Sequence, residues 1–178
     1  MKVALLATLL VLSLAVYDET IAKVAVGTVC WVYCDSKNFA TDNCGECSRL
    51  NQENGLELLT YHSNGYRINI INLAIFKQES SQRIFVAFSG TQNPFQALYE
   101  AKDIMPVDYN LHSLPGAKVS GYWYHHYIDD FRTTMNNVLE RINEKYSNYT
   151  YIFTGHSMGA AVSNMACMDA VLSNTVDG

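Results

Sequence analysis

Internal repeats and low-complexity tracts are absent from this chain of 178 residues. No apolar run after the first sixteen residues is long enough to span a bilayer, which takes about 20 residues. Those absences argue against a repeat array and against a membrane-spanning segment after the first sixteen residues. Basic residues are in short supply: twelve Lys and Arg face seventeen Asp and Glu, for a formal charge of −5. That balance argues against nucleic acid and strongly anionic membranes as partners. It leaves neutral lipid, which is recognised by apolar area. Histidine is scarce too, and all five fall at or before position 156.

What is present begins with a leader. Lys2 is followed by the almost wholly apolar residues 3–16, and Ser13 and Ala15 are the small residues a signal peptidase takes. Residues 1–15 are read as a signal peptide and the protein as secreted, extracellular or lumenal. Cleavage removes Lys2 and no acid, so the remainder is one unit more negative. That remainder makes one domain able to bury about two thirds of its unfolded surface.

Cysteine usage fits an oxidising compartment. Cys30, Cys34, Cys44 and Cys47 cluster, and Cys167 stands alone. Four thiolates could hold zinc, but behind a signal peptide disulfides are the better reading, and no metal or cofactor is expected. Three pairings are open. The nested one, Cys30–Cys47 with Cys34–Cys44, is preferred because it staples a helix to a loop, each closure contributing about 3 kcal/mol. Cys167 is expected to be a buried small apolar residue. Asn148-Tyr149-Thr150 is an N-glycosylation sequon.

Periodicity sets the class. Ile21, Val24, Ala25, Val29 and Val32 keep helical spacing over residues 19–33. Residues 66–76 read as a strand. Arg83-Ile84-Phe85-Val86-Ala87-Phe88 is the near-continuous apolar run of a buried strand. Ile128, Phe131, Met135, Val138, Leu139, Ile142 and Tyr146 recur at spacings of three and four, an amphipathic helix. A second apolar strand, residues 149–154, and a helix over 158–172 follow. A helix between two buried strands is a parallel crossover. The class is α/β, with a mostly parallel sheet and flanking helices.

The second strand runs into Gly155-His156-Ser157-Met158-Gly159 and then Ala160-Ala161-Val162-Ser163. This is G-x-S-x-G in the strand–turn–helix setting that its mechanism requires. The turn strains the serine and pushes its hydroxyl out at the end of a sheet, and the glycines remove side chains that would clash. Ser157 is the candidate nucleophile.

Phe88-Ser89-Gly90-Thr91, Ser120-Gly121-Tyr122 and the pentapeptide come in an order and separation that resemble the class 3 (fungal-type) lipases, an α/β-hydrolase family. The similarity runs over about residues 66–172. It implies an incomplete α/β-hydrolase fold. Residues 16–65 would be the N-terminal helix and cysteine-rich segment of the domain, and residues 66–178 its N-terminal part. It also implies a triacylglycerol lipase cleaving acylglycerol esters at a lipid–water interface. A phospholipase, a carboxylesterase or a non-catalytic lipid-binding relative are the alternatives. By motif, Thr91 matches the oxyanion-hole residue and Met158 the residue whose backbone N–H is the second donor. Residues 93–105 match the lid, with Phe95, Leu98 and Tyr99 on its apolar face. Two positions depart from the family pattern: Ser89 stands where Arg is usual, and Val119 where His is common.

One part is missing. In this fold the acid and the imidazole follow the serine, in the order Ser…Asp…His, and no histidine follows Ser157. Asp169 and Asp177 come too soon to be the acid, and Asp169 is expected on the helix after the elbow. His156 is expected to pack beside the elbow, and His125 and His126, with Asp129 and Asp130, to form a solvated helix terminus. The expectation is a chain truncated after the elbow. It would lack the triad Asp and His, show at most weak residual catalysis, and carry a bare, aggregation-prone sheet edge.

Overall fold

The computed structural model describes residues 17–34, 44–64, 71–91, 105–112 and 114–176. The signal-peptide reading and the lid residues Phe95, Leu98 and Tyr99 fall outside the described residues.

Helix α1 (Glu19–Val32) starts at Asp18, whose carboxylate accepts the backbone N–H groups of Thr20 at 2.9 Å and Ile21 at 3.0 Å. Such a cap satisfies donors the first turn leaves unpaired and contributes about 1 kcal/mol. Its buried face carries Val24, Trp31 and Val32. Helix α2 (Glu46–Glu53) follows the cysteine segment. Cys30 is joined to Cys47 and Cys34 to Cys44, the nested pairing.

Strands β1 (Leu56–Asn64), β2 (Ile71–Gln78), β3 (Arg83–Phe88) and β6 (Thr150–Gly155) form one sheet in the order β1-β2-β3-β6. The expectation of a mostly parallel sheet needs correction. Among the described strands of this sheet, β1–β2 and β2–β3 are antiparallel and only β3–β6 is parallel. Loop length is the reason for the second pair. The β2–β3 connection is one short 3₁₀ turn at Glu79–Ser81, whereas a parallel crossover needs a dozen residues or more. The described part of β2, from Ile71, overlaps the strand expected over residues 66–76, and β1 carries no pattern recognised in the sequence.

Between β3 and β6 lie the hairpin of β4 (Pro106–Asp108) and β5 (Lys118–Ser120) and then a nearly continuous helical path. That path is α3 (Gly121–His125), a π-helical stretch His126–Arg132, and α4 (Thr133–Lys145). Helix α5 (Met158–Leu172) leaves the elbow. The widened π turn, with its i→i+5 bonding, lets Tyr122 and Tyr127, five residues apart, both face the core. Tyr127 is fully buried where the sequence stripe pointed to Ile128, which is half-buried.

Both faces of β2 and β3 are covered, which explains their unbroken apolar runs. Ala74, Phe76, Phe85 and Ala87 meet α1. Ile71, Leu73, Ile75, Ile84, Val86 and Phe88 meet the π stretch, α4 and α5 through Phe131, Met135, Leu139, Val162 and Ala166. The register keeps each set on one face, Ile75 opposite Val86 and Phe76 opposite Phe85. Among the described residues no helix is long and apolar enough to cross a membrane.

Asp169 lies on α5, as expected, and is fully buried. Its carboxylate accepts Tyr127 Oη at 2.6 Å, Arg132 Nε at 2.8 Å, Ser173 Oγ at 3.1 Å and Asn136 Nδ2 at 3.4 Å. His112 Nε2 stands 2.6 Å away. Burial alone would push its pKa up, but the bonds from Arg132, Tyr127 and His112 outweigh it and hold the pKa down at about 2. Because the folded value is depressed, this stabilisation is complete above the ordinary carboxylate pKa and is lost as pH falls from about 4 through about 2. The shift corresponds to on the order of 2 kcal/mol. In urea unfolding series at pH 7, 4 and 2.5, the stability gap between wild type and Asp169→Asn is expected to shrink over that window. A gap that does not change with pH would contradict the assignment.

Candidate functional site

Parallel register brings the two sequence motifs together. Phe88, the last residue of β3, is the Cα partner of Gly155, the last residue of β6. Ser89-Gly90-Thr91 and the pentapeptide therefore leave the sheet side by side at the carboxyl ends of the strands, where open α/β sheets place their sites.

Ser157 has φ 56° and ψ −125°, outside the regions L-residues prefer, and it is exposed. A non-glycine residue held there costs on the order of 1–3 kcal/mol. The turn closes through Gly159 N–H to the His156 carbonyl at 3.0 Å and Ala160 N–H to the Ser157 carbonyl at 2.9 Å. Neither flanking glycine has positive φ; their role is clearance. A Cβ on Gly155 would fall 2.2 Å from the Gly159 carbonyl oxygen, and one on Gly159 would fall 2.5 Å from the carbonyl oxygens of Phe88 and Ser89. The strain sits on the serine alone.

Met158 opens α5 with its side chain buried in the core and its backbone beside Ser157. The amino end of this 15-residue helix, with its positive partial charge, therefore faces the serine. Thr91 is half-buried and follows Gly90 directly. Gly90 touches the elbow: a Cβ there would fall 2.4 Å from the His156 carbonyl oxygen and 3.0 Å from Ser157 Cβ. Ser89 is buried, and its hydroxyl accepts the Asn72 backbone N–H at 2.8 Å.

Each of the five histidines has a partner of its own. His156 Nδ1 lies 2.9 Å from Tyr33 Oη. His112 is held by Asp169 and His126 by Asp130 at 2.7 Å. His125 is exposed, 3.9 Å from Asp129, and the His62 ring packs edge-on against Phe131. His126 and Asp130 are more buried than a solvated terminus. Cys167 is half-buried rather than buried, and burial pushes its thiol pKa up. Asn148 is exposed in the turn before β6.

The family model for lipase (class 3) matches residues 85–177, more than half of the chain. The chain belongs to the class 3 lipase family. Among solved structures, a lipase from Rhizopus microsporus var. chinensis matches with TM-score 0.71 and 22% identity over 86% of this chain and 51% of its own. A triacylglycerol lipase with a serine protease triad as its catalytic centre gives 0.71 and 19%, over 91% and 59%. A mono- and diacylglycerol lipase from Aspergillus oryzae gives 0.68 and 20%, over 86% and 57%. These likenesses show the α/β-hydrolase fold. This class 3 lipase chain spans about half the length of the solved structures it matches. No curated protein sequence matches it.

Sequence reasoning missed one residue at this class 3 lipase elbow, Tyr33. Its hydroxyl accepts the Gly90 N–H at 2.7 Å as well as meeting His156. No motif announces it, since it ends a helix far upstream.

The location of the strain is open to measurement. Ser157→Gly is expected to be more stable than Ser157→Ala by about 1 kcal/mol, because only glycine relieves the backbone. Gly159→Ala is expected to lose about 1–3 kcal/mol by overpacking against β3. Urea midpoints for the three variants check both; equal stability of the two Ser157 variants would place the strain elsewhere.

Proposed function

We infer that the protein is a secreted serine ester hydrolase, a triacylglycerol lipase acting on acylglycerol esters at a lipid–water interface. The observation that carries this reading is the strained, exposed Ser157 at the amino end of α5, with Gly90 packed against it. Family membership supplies the reaction class. The likeness to a triacylglycerol lipase and to a mono- and diacylglycerol lipase favours acylglycerols over other esters.

In this reading Ser157 Oγ attacks the ester carbonyl and gives its proton to a base. The negative charge that develops on the former carbonyl oxygen is taken by the backbone N–H groups of Thr91 and Met158. Preset donors of this kind are worth about 10²–10³ in rate each. Collapse expels the alcohol and leaves an acyl-serine, which water then hydrolyses. Of the five histidines present, His156, His112 and His126 are hydrogen-bonded to other groups, His62 packs against Phe131 and His125 lies beside Asp129. Turnover by residues 1–178 alone is therefore proposed to be weak.

The remaining assignments belong to the same proposal. Residues 1–15 are the leader, residues 16–65 the stapled N-terminal segment and residues 66–178 the hydrolase region. Phe95, Leu98 and Tyr99 form the apolar face of a lid. The sequon at Asn148 carries a glycan, which the exposed turn accommodates.

Expressed from its complete coding sequence, the protein is expected to label with a fluorophosphonate at Ser157. Ser157→Ala is expected to abolish labelling and to lower turnover of triacylglycerol emulsions by about 10⁴-fold or more. Labelling at another residue would overturn the site, and preference for phospholipid or short soluble esters would overturn the substrate class.

A further inference from the structure

Tyr33 follows α1 directly and lies between two disulfide-bonded cysteines, Cys30 and Cys34. Those bonds tie the end of α1 to Cys47 and Cys44 at the start of α2. The phenol of Tyr33 reaches the elbow. It accepts the Gly90 N–H at 2.7 Å, and its own O–H can donate a hydrogen bond to His156 Nδ1 at 2.9 Å when the imidazole proton is on Nε2. One hydroxyl thus bridges the loop that follows β3 and the pentapeptide that follows β6. Burial pushes the phenol pKa up despite the Gly90 bond, so it stays protonated and able to donate.

A second tie runs beside the first. Asn72 Nδ2 donates to the Val32 carbonyl at the end of α1 at 2.9 Å, while the Asn72 backbone exchanges bonds with Ser89. The end of α1 is therefore fastened to Ser89 and Gly90, the two residues immediately before Thr91. Gly90 has no side chain through which to be held: a Cβ there would fall 2.6 Å from Tyr33 Oη. Its amide is the remaining handle.

We propose that Tyr33 is a positioning residue for the oxyanion-side loop, with the flanking disulfides as its anchor, so that the cysteine staple sets where Thr91 stands relative to Ser157. This rests on the hydrolase reading. A donor serves the tetrahedral intermediate only within hydrogen-bond reach of the oxygen it will hold, and an error of about 1 Å in such placement can cost about 10²-fold in rate. A loop that leaves the sheet at Phe88 needs a fixed point beyond it. The cysteine segment supplies one from outside the sheet.

The test uses protein expressed from its complete coding sequence with disulfides formed, assayed on a soluble p-nitrophenyl ester. Tyr33→Phe keeps the ring and removes the hydroxyl. It is expected to lower kcat, per fluorophosphonate-labelled site, about 10- to 100-fold while KM stays within about two-fold, since the lost interaction is felt as charge develops. Cys34→Ser/Cys44→Ser is expected to lower kcat in the same direction, and to add little when combined with Tyr33→Phe. Amide exchange gives a readout in the unaltered protein: Gly90 N–H is expected to be protected, and to lose protection in Tyr33→Phe while Phe85 and Val86 keep theirs.

An unchanged kcat in Tyr33→Phe, with Ser157 still labelling, would overturn the Tyr33 assignment and leave the hydrolase reading standing. An unprotected Gly90 amide in wild type would do the same. Strict additivity of the cysteine and tyrosine variants would remove the staple from the proposal. No labelling of wild-type Ser157 would overturn both readings together.

Discussion

Phe88 and Gly155 are Cα partners at the ends of two parallel strands, and most of the candidate site follows from that register. Parallel neighbours place successive chain exits at the same edge of the sheet, so two loops distant in sequence emerge side by side. A slip of one residue would turn every side chain of β6 to the opposite face. It would also carry the elbow away from Gly90. The register is secured by burial on both sides, with Ile84, Val86 and Phe88 against α4 and α5 and with Phe85 and Ala87 against α1. Site geometry is thus a consequence of core packing.

The composition of α5 follows from the same closeness. Gly159, Val162, Ser163, Ala166 and Ala170 are buried along it, and Gly159 approaches the last carbonyls of β3 so nearly that a methyl group would not fit. Small residues let the helix sit against the strand ends, which holds its amino end at the serine. Strain of on the order of 1–3 kcal/mol at one residue is easily sustained when the adjoining helix buries this much surface. The backbone conformation of Ser157 is over-determined from both directions, by the strand before it and by the helix after it.

Much of this was legible in the letters. Strand β3, helices α1 and α5 and the elbow are written as runs and periods of apolar residues, and β3, buried along almost its whole length, leaves the strongest such signal. β1 was not legible. Its Thr60, His62, Ser63 and Asn64 interrupt any apolar run, and it pairs only with β2 in the described sheet. The π stretch was hidden for a different reason. Its residues keep an ordinary helical appearance, and only the burial of Tyr127 in place of Ile128 reveals the extra residue in the turn. Ser89 was visible as a departure from the family pattern, but not as the acceptor that ties β3 to β2. Tyr33 was invisible, because a hydrogen bond across 57 residues has no local sequence correlate.

Asp169 shows why proximity in sequence is a poor guide to catalytic role. It is the first carboxylate after Ser157, twelve positions along a helix that rises about 1.5 Å per residue, so it stands about 18 Å from the elbow. Every direction from its carboxylate is already taken, by Tyr127, Arg132, Asn136 and Ser173, with His112 alongside. A catalytic acid of a triad must hold an imidazole that is itself in reach of the serine hydroxyl. The imidazole beside Asp169 comes from the loop after β4 and is fixed at the far end of α5. The depressed carboxylate pKa therefore reports an anion that joins α5, the π stretch and that loop, and the elbow gains from it only rigidity.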